Sequence, residues 1–363
     1  MTATSTTITP TTATTTAATA ATAATGTTGA TSFPAALPAS VATFLDSAVT
    51  TEYASLTASG RPVTWPVTPY TGEDGTTLDV STGLTYPSKA ERARRDPRVA
   101  LLFSDPLGSG VADAPVVLVQ GLATVRDADL QAGLDRYLKA SRAKLPAASA
   151  GIPWFLLRRS AWYYARIWVA VTPLRVTWWE GSRLDVVPQV WTAPDGVPVP
   201  PSDPAAPGPA TAPWRAAPGD WVAAADRAAS FGAPVLSVRG PDGGPLPLPT
   251  RDTERVDDGF VVRLPEGVPV EDLTGVPACL TFHRHDDPFT GQENVVLVGR
   301  ARRLDDGRVH VAVERALGDW SLPGGAVRRG LAFAGAGRAL SRRLAEEAAR
   351  RGQPVPVVRR PPE

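Results

Sequence analysis

The chain has 363 residues, 43% of them hydrophobic, which is enough for two domains that each bury a core. Its 37 basic and 36 acidic residues leave a formal net charge of +1, so the composition excludes the strongly basic field of a nucleic-acid-binding or membrane-surface protein. A single cysteine, Cys279, excludes an internal disulfide and a zinc cluster built from thiolates.

The N-terminal segment is almost entirely threonine and alanine, with no basic start and no long apolar core. It does not resemble a secretory signal, and its low potential for burial predicts a disordered tail over residues 1–32. No uninterrupted apolar run of about 18 residues follows, which argues against a membrane-spanning helix. We therefore expect a cytoplasmic protein with no membrane and no nucleic-acid partner.

Residues 33–182 are predicted to form the first folded domain. A short amphipathic helix over 38–49 is followed by hydrophobic patterns that are typical of antiparallel strands joined by tight turns. A short helix over 88–95 ends before Pro97, because the residue that precedes a proline avoids helical geometry. A longer helix is predicted over 127–144. The predicted strands cover 52–57, 62–68, 77–81, 99–103, 116–125, 164–171 and 174–179.

The second half of the chain begins with residues 183–219, which are dense in proline, alanine and aspartate. Because proline favours an extended backbone, this composition predicts a semi-rigid linker. Residues 220–350 read as a second, degenerate copy of the first domain that ends in a C-terminal helix. Residues 351–363 are expected to be a tail.

The evidence for an internal copy is the spacing of matching hydrophobic runs. Phe103 and Gly121 are separated by one residue more than Phe282 and Gly299. Strands with short turns, and no regular alternation with helices, favour a mainly β, α+β fold made of small antiparallel barrels. A dinucleotide-binding Rossmann fold is excluded, because no Gly-X-Gly-X-X-Gly follows a strand.

The stretch from Ser81 to Pro97 holds the residues most typical of a binding site. It runs from a strand end, through a turn rich in hydroxyl groups, to a helix start that carries Lys89 and three arginines. Hydroxyls, free amides at a helix N-terminus and a cation are the groups that bind a phosphate ester. The alternative is a capping box, in which Ser88 and Glu91 cap their own helix without any ligand.

Two other groups of residues are candidates for chemistry. Cys279, His283 and His285 would share one face of a strand, either as contacts to a metal or haem or as a polar strand end. The aromatic residues between 162 and 179 form either core or a surface on which a cofactor stacks. The sequence contains no Gly-X-Ser-X-Gly elbow, and we assign no catalytic residue and no metal ligand.

Four blocks, in their order and spacing, resemble the pyridoxamine 5'-phosphate oxidase-like split β-barrels. These blocks are Gly60-Arg61-Pro62-Val63, the stretch 81–97, residues 98–103 and residues 119–125. Members of that family bind flavin or deazaflavin between two barrels. The resemblance implies tandem antiparallel split β-barrels with FMN as the cofactor; a deazaflavin coenzyme is the alternative, and haem is less favoured.

The resemblance also implies a set of site residues. Ser81, Thr82, Ser88 and Lys89 would hold the cofactor phosphate, and Val63, Thr64, Trp65 and Pro66 would back the isoalloxazine ring. The paired basic residues that the oxidase has at the helix start are absent, since Ser88 precedes Lys89. Val116 stands where a ring-contacting glutamine is expected. The oxidase's C-terminal substrate signature is also absent, which argues against pyridoxine metabolism.

The expected function is a flavin- or deazaflavin-dependent oxidoreductase that acts on a small redox substrate. One alternative is a carrier or sensor that holds flavin or haem without turnover, and another is a scaffold that has lost the cofactor. The second copy has the acids Glu266, Glu271 and Asp272 where the first has its basic helix. One competent half-site per chain is therefore expected, in an intrachain pseudo-dimer of barrels or, alternatively, in a homodimer.

Overall fold

The computed structural model describes residues 33–149, 153–209, 221–268, 270, 273–322 and 326–360. The predicted tail over 1–32 lies outside the described residues, as do 210–219 of the predicted linker, Glu271, Asp272 and the last three residues. Within the described ranges, no helix combines the length and the apolar character needed to cross a membrane.

An eight-stranded antiparallel sheet forms the first half of the chain. Its strands are β1 Thr51–Leu56, β2 Pro62–Val67, β3 Pro69–Thr71, β4 Leu78–Gly83, β5 Arg98–Phe103, β6 Val116–Arg126, β7 Arg166–Trp179 and β8 Gln189–Thr192. They lie in the order β2-β1-β5-β6-β7-β4-β3, and β8 pairs with β7. Strand β8 lies in the segment whose composition predicts a linker.

Helices pack on this first barrel, where apolar side chains from both strands and helices share one core. The helices are α1 Ala39–Ser47, α2 Ser88–Arg95, α3 Leu130–Lys144, α4 Pro146–Ser149, α5 Trp154–Leu157 and α6 Ala161–Tyr164. The longest of them, α3, begins after Asp129, whose carboxylate accepts a hydrogen bond from the amide of Ala132. The apolar side of α3 contributes Leu130, Leu134 and Leu138 to the core.

A second antiparallel sheet repeats the strand order of the first. It follows helix α7 Trp221–Ala228 and contains β9 Val235–Arg239, β10 Pro245–Pro249, β11 Arg251–Val256, β12 Gly259–Arg263, β13 Thr274–His285, β14 Gln292–Arg303 and β15 Val309–Leu322. Its order, β10-β9-β13-β14-β15-β12-β11, matches the first sheet strand for strand. The predicted fold class, mainly β with tandem antiparallel split barrels, is confirmed.

The two sheets also share a glycine at a β-bulge. The register of β6 against β7 shifts at Gly121, and that of β14 against β15 shifts at Gly299. A Cβ atom at Gly121 would lie 2.2 Å from the carbonyl oxygen of Thr172, and one at Gly299 would lie 1.8 Å from that of Ala312. Only glycine permits this close approach of two backbones, so both sheets need a glycine at the same β-bulge.

The two barrels face each other along a seam formed by β2 of the first and β13 of the second. Thr64 on β2 is fully buried there. Its hydroxyl lies 2.6 Å from that of Ser237, and its carbonyl oxygen accepts a hydrogen bond of 3.1 Å from Thr281. A buried hydrogen bond of 2.5 Å between Nε2 of His283 and Oε1 of Glu52 joins the barrels further along.

The last helix, α8 Ala326–Arg350, follows the second barrel but packs on the first. Leu340, Leu344 and Ala348 enter the core of the first barrel. Residues that precede the second barrel also bind the first: the carboxylate of Asp203 accepts hydrogen bonds from the backbone amides of Asp127 and Ala128. The first barrel is therefore completed by chain from well beyond residue 182.

Candidate functional site

Helix α2 begins differently from the capping-box alternative. Pro87 occupies the N-cap position, Ser88 is the exposed first residue of the helix, and no side chain caps the N-terminus. Glu91 instead forms ion pairs with Arg350 at 2.9 Å and Arg351 at 3.6 Å. The capping-box alternative is therefore wrong, because α8 and the residue after it take up the carboxylate of Glu91.

Lys89 lies on α2 at the junction of the two barrels. Its Nζ atom is 6.0 Å from the ring centroid of Trp65, and it makes no hydrogen bond or ion pair with any described residue. The side chain keeps part of its surface accessible although protein atoms surround it. Burial, followed by the charges of Arg92 and Arg166, lowers the pKa of Lys89 to about 7.

Two arginines accompany Lys89, and sequence reasoning missed both as individual site residues. Arg92 donates from Nε to the hydroxyl of Ser55 at 2.9 Å, while its Nη2 atom is buried without a hydrogen-bond partner among the described residues. Arg166 begins β7 directly opposite Gly83, at the end of β4. Its guanidinium lies 4.4 Å from the ring centroid of Tyr137, and its Nε atom is likewise buried without a described partner.

The charge of this group is unbalanced. Lys89, Arg92 and Arg166 lie close enough to lower one pKa, yet none of the three is paired with a carboxylate in the described parts of the chain. Buried charges in proteins are ordinarily paired, because an unpaired one is costly to remove from water. The orphaned Nη2 and Nε atoms and the unpartnered ammonium are suited to the oxygens of a phosphate ester. The residues present therefore fit the phosphate of a nucleotide-like cofactor.

The hydroxyl groups predicted to hold phosphate do not converge on one point. Successive side chains of a strand point to opposite faces. Ser81 pairs with Trp168, whose indole nitrogen donates to α3, so Ser81 shares that face. Thr82 points the other way and donates its hydroxyl to the carbonyl oxygen of Tyr86 at 3.0 Å. A single phosphate group can therefore meet only one of these two hydroxyls directly.

Of the four β2 residues predicted to back the ring, only Val63 and Trp65 have side chains placed to contact a bound cofactor. Trp65 is half-buried, beside Lys89, and a Cβ atom at Gly318 would lie 2.8 Å from its ring, so β15 of the second barrel approaches it closely. Val63 lines a cavity at the seam. Thr64 and Pro66 are buried, and the hydrogen-bonding groups of Thr64 are engaged by the second barrel.

The cysteine and histidines of β13 have structural partners. His283 pairs with Glu52, and Nε2 of His285 lies 3.3 Å from the carboxylate of Asp105. Burial raises the pKa of Cys279 to about 11, so its thiol stays protonated near neutral pH. In the part of the chain that the structure describes, no three His, Cys, Asp or Glu side chains are grouped to hold a metal ion.

The aromatic residues of β7 belong to cores. Trp168 and Trp178 are buried in the core of the first barrel, and Trp179 is fully buried in that of the second. Trp168 also lies 3.9 Å under the guanidinium of Arg136 and donates its indole N–H to the Gly133 carbonyl. These tryptophans are therefore core residues, whereas Trp65 lies beside Lys89.

Comparison with known proteins gives matches among solved structures only. No protein-family model and no curated protein matches the sequence. General Stress Protein 26 from Bacillus anthracis is 15% identical over 42% of this chain and 95% of its own, with a TM-score of 0.28. An F420 reductase is 19% identical over 39% of this chain and 98% of its own, with a TM-score of 0.28.

A third similar structure is a pyridoxamine 5'-phosphate oxidase-related, FMN-binding protein from Nostoc punctiforme. It is 13% identical over 37% of this chain and 74% of its own, with a TM-score of 0.25. The family that the sequence resembles is thus also named among the solved structures that this chain is similar to.

Proposed function

We propose that this chain is an oxidoreductase that binds FMN, or alternatively a deazaflavin coenzyme, between α2 of the first barrel and β15 of the second. The observation that carries the proposal is the group of three cations, Lys89, Arg92 and Arg166, which has no carboxylate partner among the described residues. An unpaired cationic group at the seam of two barrels is suited to an anionic cofactor and costs stability without one.

Each residue of the site has a defined role in this proposal. Lys89 and Arg166 bind the phosphate oxygens, and Arg92, fixed by its hydrogen bond to Ser55, adds its free Nη2 atom. The exposed hydroxyl of Ser88 lies on the first turn of the same helix, where backbone amides also favour an anion. Trp65, backed by the second barrel, shields the ring from water.

A flavin or deazaflavin supplies the chemistry when it is bound, because its ring accepts and donates hydride. The protein therefore needs no acid–base pair at the site. Its residues bind the phosphate, orient the ring against β2 and exclude water through the contact of Trp65 with Gly318. A small substrate would then meet the exposed face of the ring.

The cofactor assignment is tested by titrating the purified protein with FMN and with a deazaflavin coenzyme, followed by the visible spectrum and flavin fluorescence. Lys89→Met should lower the affinity for the preferred cofactor by about tenfold or more, as expected for the loss of a charge-assisted contact. Lys139→Met is the matched control, since Lys139 is exposed on α3. Equal affinities in both variants and the unaltered protein would reject the site.

Turnover separates the enzyme from a carrier or sensor. The loaded protein is reduced and then mixed with a panel of small electron acceptors, and reoxidation is followed at the cofactor's own band. Acceleration over the free reduced cofactor supports an oxidoreductase. Retention of the cofactor with no acceleration by any acceptor favours the non-catalytic carrier, and a Soret band in the isolated protein favours a haem carrier.

A further inference from the structure

The three lysines of the chain differ in what their amines contact. Lys139 is exposed on α3. Lys144 is half-buried, but its Nζ atom donates hydrogen bonds of 2.9 and 2.8 Å to the carbonyl oxygens of Asp46 and Pro69. Lys89 is enclosed at the junction of the two barrels and donates to no described residue. An enclosed amine without a partner is costly, because it loses contacts with water and gains none in the protein.

The surroundings of Lys89 favour the neutral form of its amine. The charged groups that act on it are Arg92, one turn further along α2, and Arg166, at the start of β7, and both are cations. The ring of Trp65 lies on another side. No described carboxylate pairs with any of the three cations. A lysine is a nucleophile only when it is neutral, and proteins obtain a neutral lysine by burial or by placing other cations beside it.

The size of this effect indicates how reactive the amine is. Burial and the two arginines lower the pKa of Lys89 to about 7, so about half of its amine is neutral at pH 7. A lysine with the ordinary pKa of 10.5 is neutral in about one molecule in 3,000. A less basic amine is also a weaker nucleophile, and a Brønsted slope of about 0.5, as for thiols, reduces the advantage by about 60-fold. The remaining gain in reactivity is more than about tenfold.

The two arginines beside Lys89 are fixed by other side chains and keep donors for an anion. The hydroxyl of Ser55 holds Arg92, whose Nη2 atom is buried without a described partner. The guanidinium of Arg166 lies over the rings of Tyr137 and Tyr163, 4.4 and 4.7 Å from their centroids, and its Nε atom is also buried without a described partner. Because both arginines act on the charge of Lys89, a phosphate that they bind lies near its amine.

We propose that Lys89 of the cofactor-free protein forms an imine with a small aldehyde that carries a phosphate group, whose oxygens bind Arg92 and Arg166. The lone pair of Nζ adds to the carbonyl carbon, the nitrogen loses a proton and the carbonyl oxygen gains one, which gives a carbinolamine. The nitrogen then loses its second proton and the hydroxyl group leaves as water. Amine and aldehyde thus become imine and water without any change of oxidation state, and the reaction requires no flavin.

The test traps the imine at pH 7. Cofactor-free protein is incubated with glycolaldehyde phosphate, or with glycolaldehyde, which lacks only the phosphate, and sodium borohydride then reduces the imine to a stable secondary amine. Peptide mapping by mass spectrometry separates the three lysines and the α-amino group of the chain. Glycolaldehyde phosphate should modify Lys89 faster than Lys144 and at least about tenfold faster than Lys139. Glycolaldehyde should modify Lys89 at least about tenfold more slowly than its phosphate does.

A matched pair of variants on α2 tests the phosphate donors. Arg92→Gln should slow the reaction of Lys89 with glycolaldehyde phosphate by about tenfold or more, because it removes a phosphate donor and a neighbouring cation. Arg95→Gln should leave the rate unchanged, since Arg95 is exposed on the same helix. Modification of Lys139 as fast as Lys89, equal rates with the two aldehydes, or equal slowing in the two variants would each overturn the proposal.

Competition with the cofactor separates this inference from the proposed function. Both use Lys89 and the same phosphate donors, so FMN or the deazaflavin coenzyme should protect Lys89 from modification. If Lys89 is modified but neither cofactor binds, the aldehyde site stands and the proposed function is rejected. If a cofactor binds but Lys89 of the cofactor-free protein is not modified, the proposed function stands and imine formation is rejected.

Discussion

Burial disfavours the charge of Lys89. The residue therefore destabilises the cofactor-free protein although its charge favours binding of the cofactor phosphate. Replacing it with methionine removes a poorly solvated ammonium group and keeps most of the apolar stem. We expect Lys89→Met to raise the free energy of unfolding of the cofactor-free protein by about 1 kcal/mol while it lowers cofactor affinity. Chemical denaturation of the cofactor-free variant measures the first effect.

The increase in the free energy of unfolding that Lys89→Met causes should depend on pH, and the sign of this dependence follows from the pKa of Lys89. The pKa of Lys89 is about 7 in the folded chain against its ordinary 10.5, so the unfolded chain binds more protons between these values. The destabilisation that Lys89 causes is therefore full below pH 7 and fades as the pH rises towards 10.5. A gain for Lys89→Met that grows with pH would contradict this assignment.

Cofactor affinity should depend on pH through the same residue. A bound phosphate favours protonated Lys89, so between pH 7 and 9 binding takes up a proton and affinity should fall, by at most about tenfold per pH unit. The phosphate ester is already fully ionised there, since its second pKa is near 6. Flavin fluorescence titrations across this range measure the slope. Lys89→Met should flatten it, and a flat profile in the unaltered protein would exclude Lys89.

Local sequence identified Lys89 but could not identify the whole cationic group. Arg92 lies three residues after Lys89, on the same side of α2, and that spacing is a signal that could have singled it out among the three arginines. Arg166 is 83 residues from Gly83, and only the pairing of β4 with β7 brings the two together. The local sequence does not show which distant residues a sheet brings together, so Arg166 could be identified only from the structure.

At the scale of elements, α2 is held by the chain that follows α8. Arg351 is almost completely buried and forms ion pairs with Asp127 at 2.9 Å and with Glu347 at 2.5 Å, besides its longer contact with Glu91. Arg351→Met would remove the arginine that links these buried carboxylates and would leave each with only one described arginine partner, Arg94 for Asp127 and Arg350 for Glu347 and Glu91. We expect a loss of about 3–5 kcal/mol in the free energy of unfolding, measured by chemical denaturation.

The matched control for that loss is an exposed ion pair in the same region. Arg359 lies 3.9 Å from Asp135, and the two side chains are 67% and 42% exposed. Arg359→Met should therefore change stability by less than about 1 kcal/mol. Comparable losses in the free energy of unfolding of the two variants would show that the buried ion pairs of Arg351 stabilise the protein no more than an exposed pair does.

Hydrophobic patterns predicted six of the eight strands of the first sheet, whose central strands are buried along most of their length. The two strands predicted over 164–171 and 174–179 form a single strand, β7. The helices over 88–95 and 127–144 were also predicted, and α2 and α3 occupy those positions. Strand β8 was missed, since four residues with mostly exposed side chains in a proline-rich segment carry no amphipathic signal. The return of α8 to the first barrel could not be predicted either, because an apolar stripe does not specify which core it enters.

At the scale of the whole molecule, the second barrel lacks what makes the first a candidate phosphate site. Between β12 and β13 the described residues form no counterpart of α2. Leu264 and Leu273, at the ends of that connection, are instead buried in the second core. Trp179 of β7, the strand that corresponds to β15, is fully buried in the same core. The described ends of this connection are thus apolar, whereas the first barrel has the basic helix α2 at the corresponding point of the chain.

This asymmetry leads to a prediction of stoichiometry. If the second barrel replaces a second subunit, the chain should bind one phosphate-bearing cofactor and should do so as a monomer. Tight-binding titration gives the equivalence point, and light scattering on the eluting complex gives its mass. Two cofactors per chain would require a site that the buried Trp179 region does not offer. One cofactor bound only by a dimer would mean that first barrels pair between chains, with the second barrel outside the site.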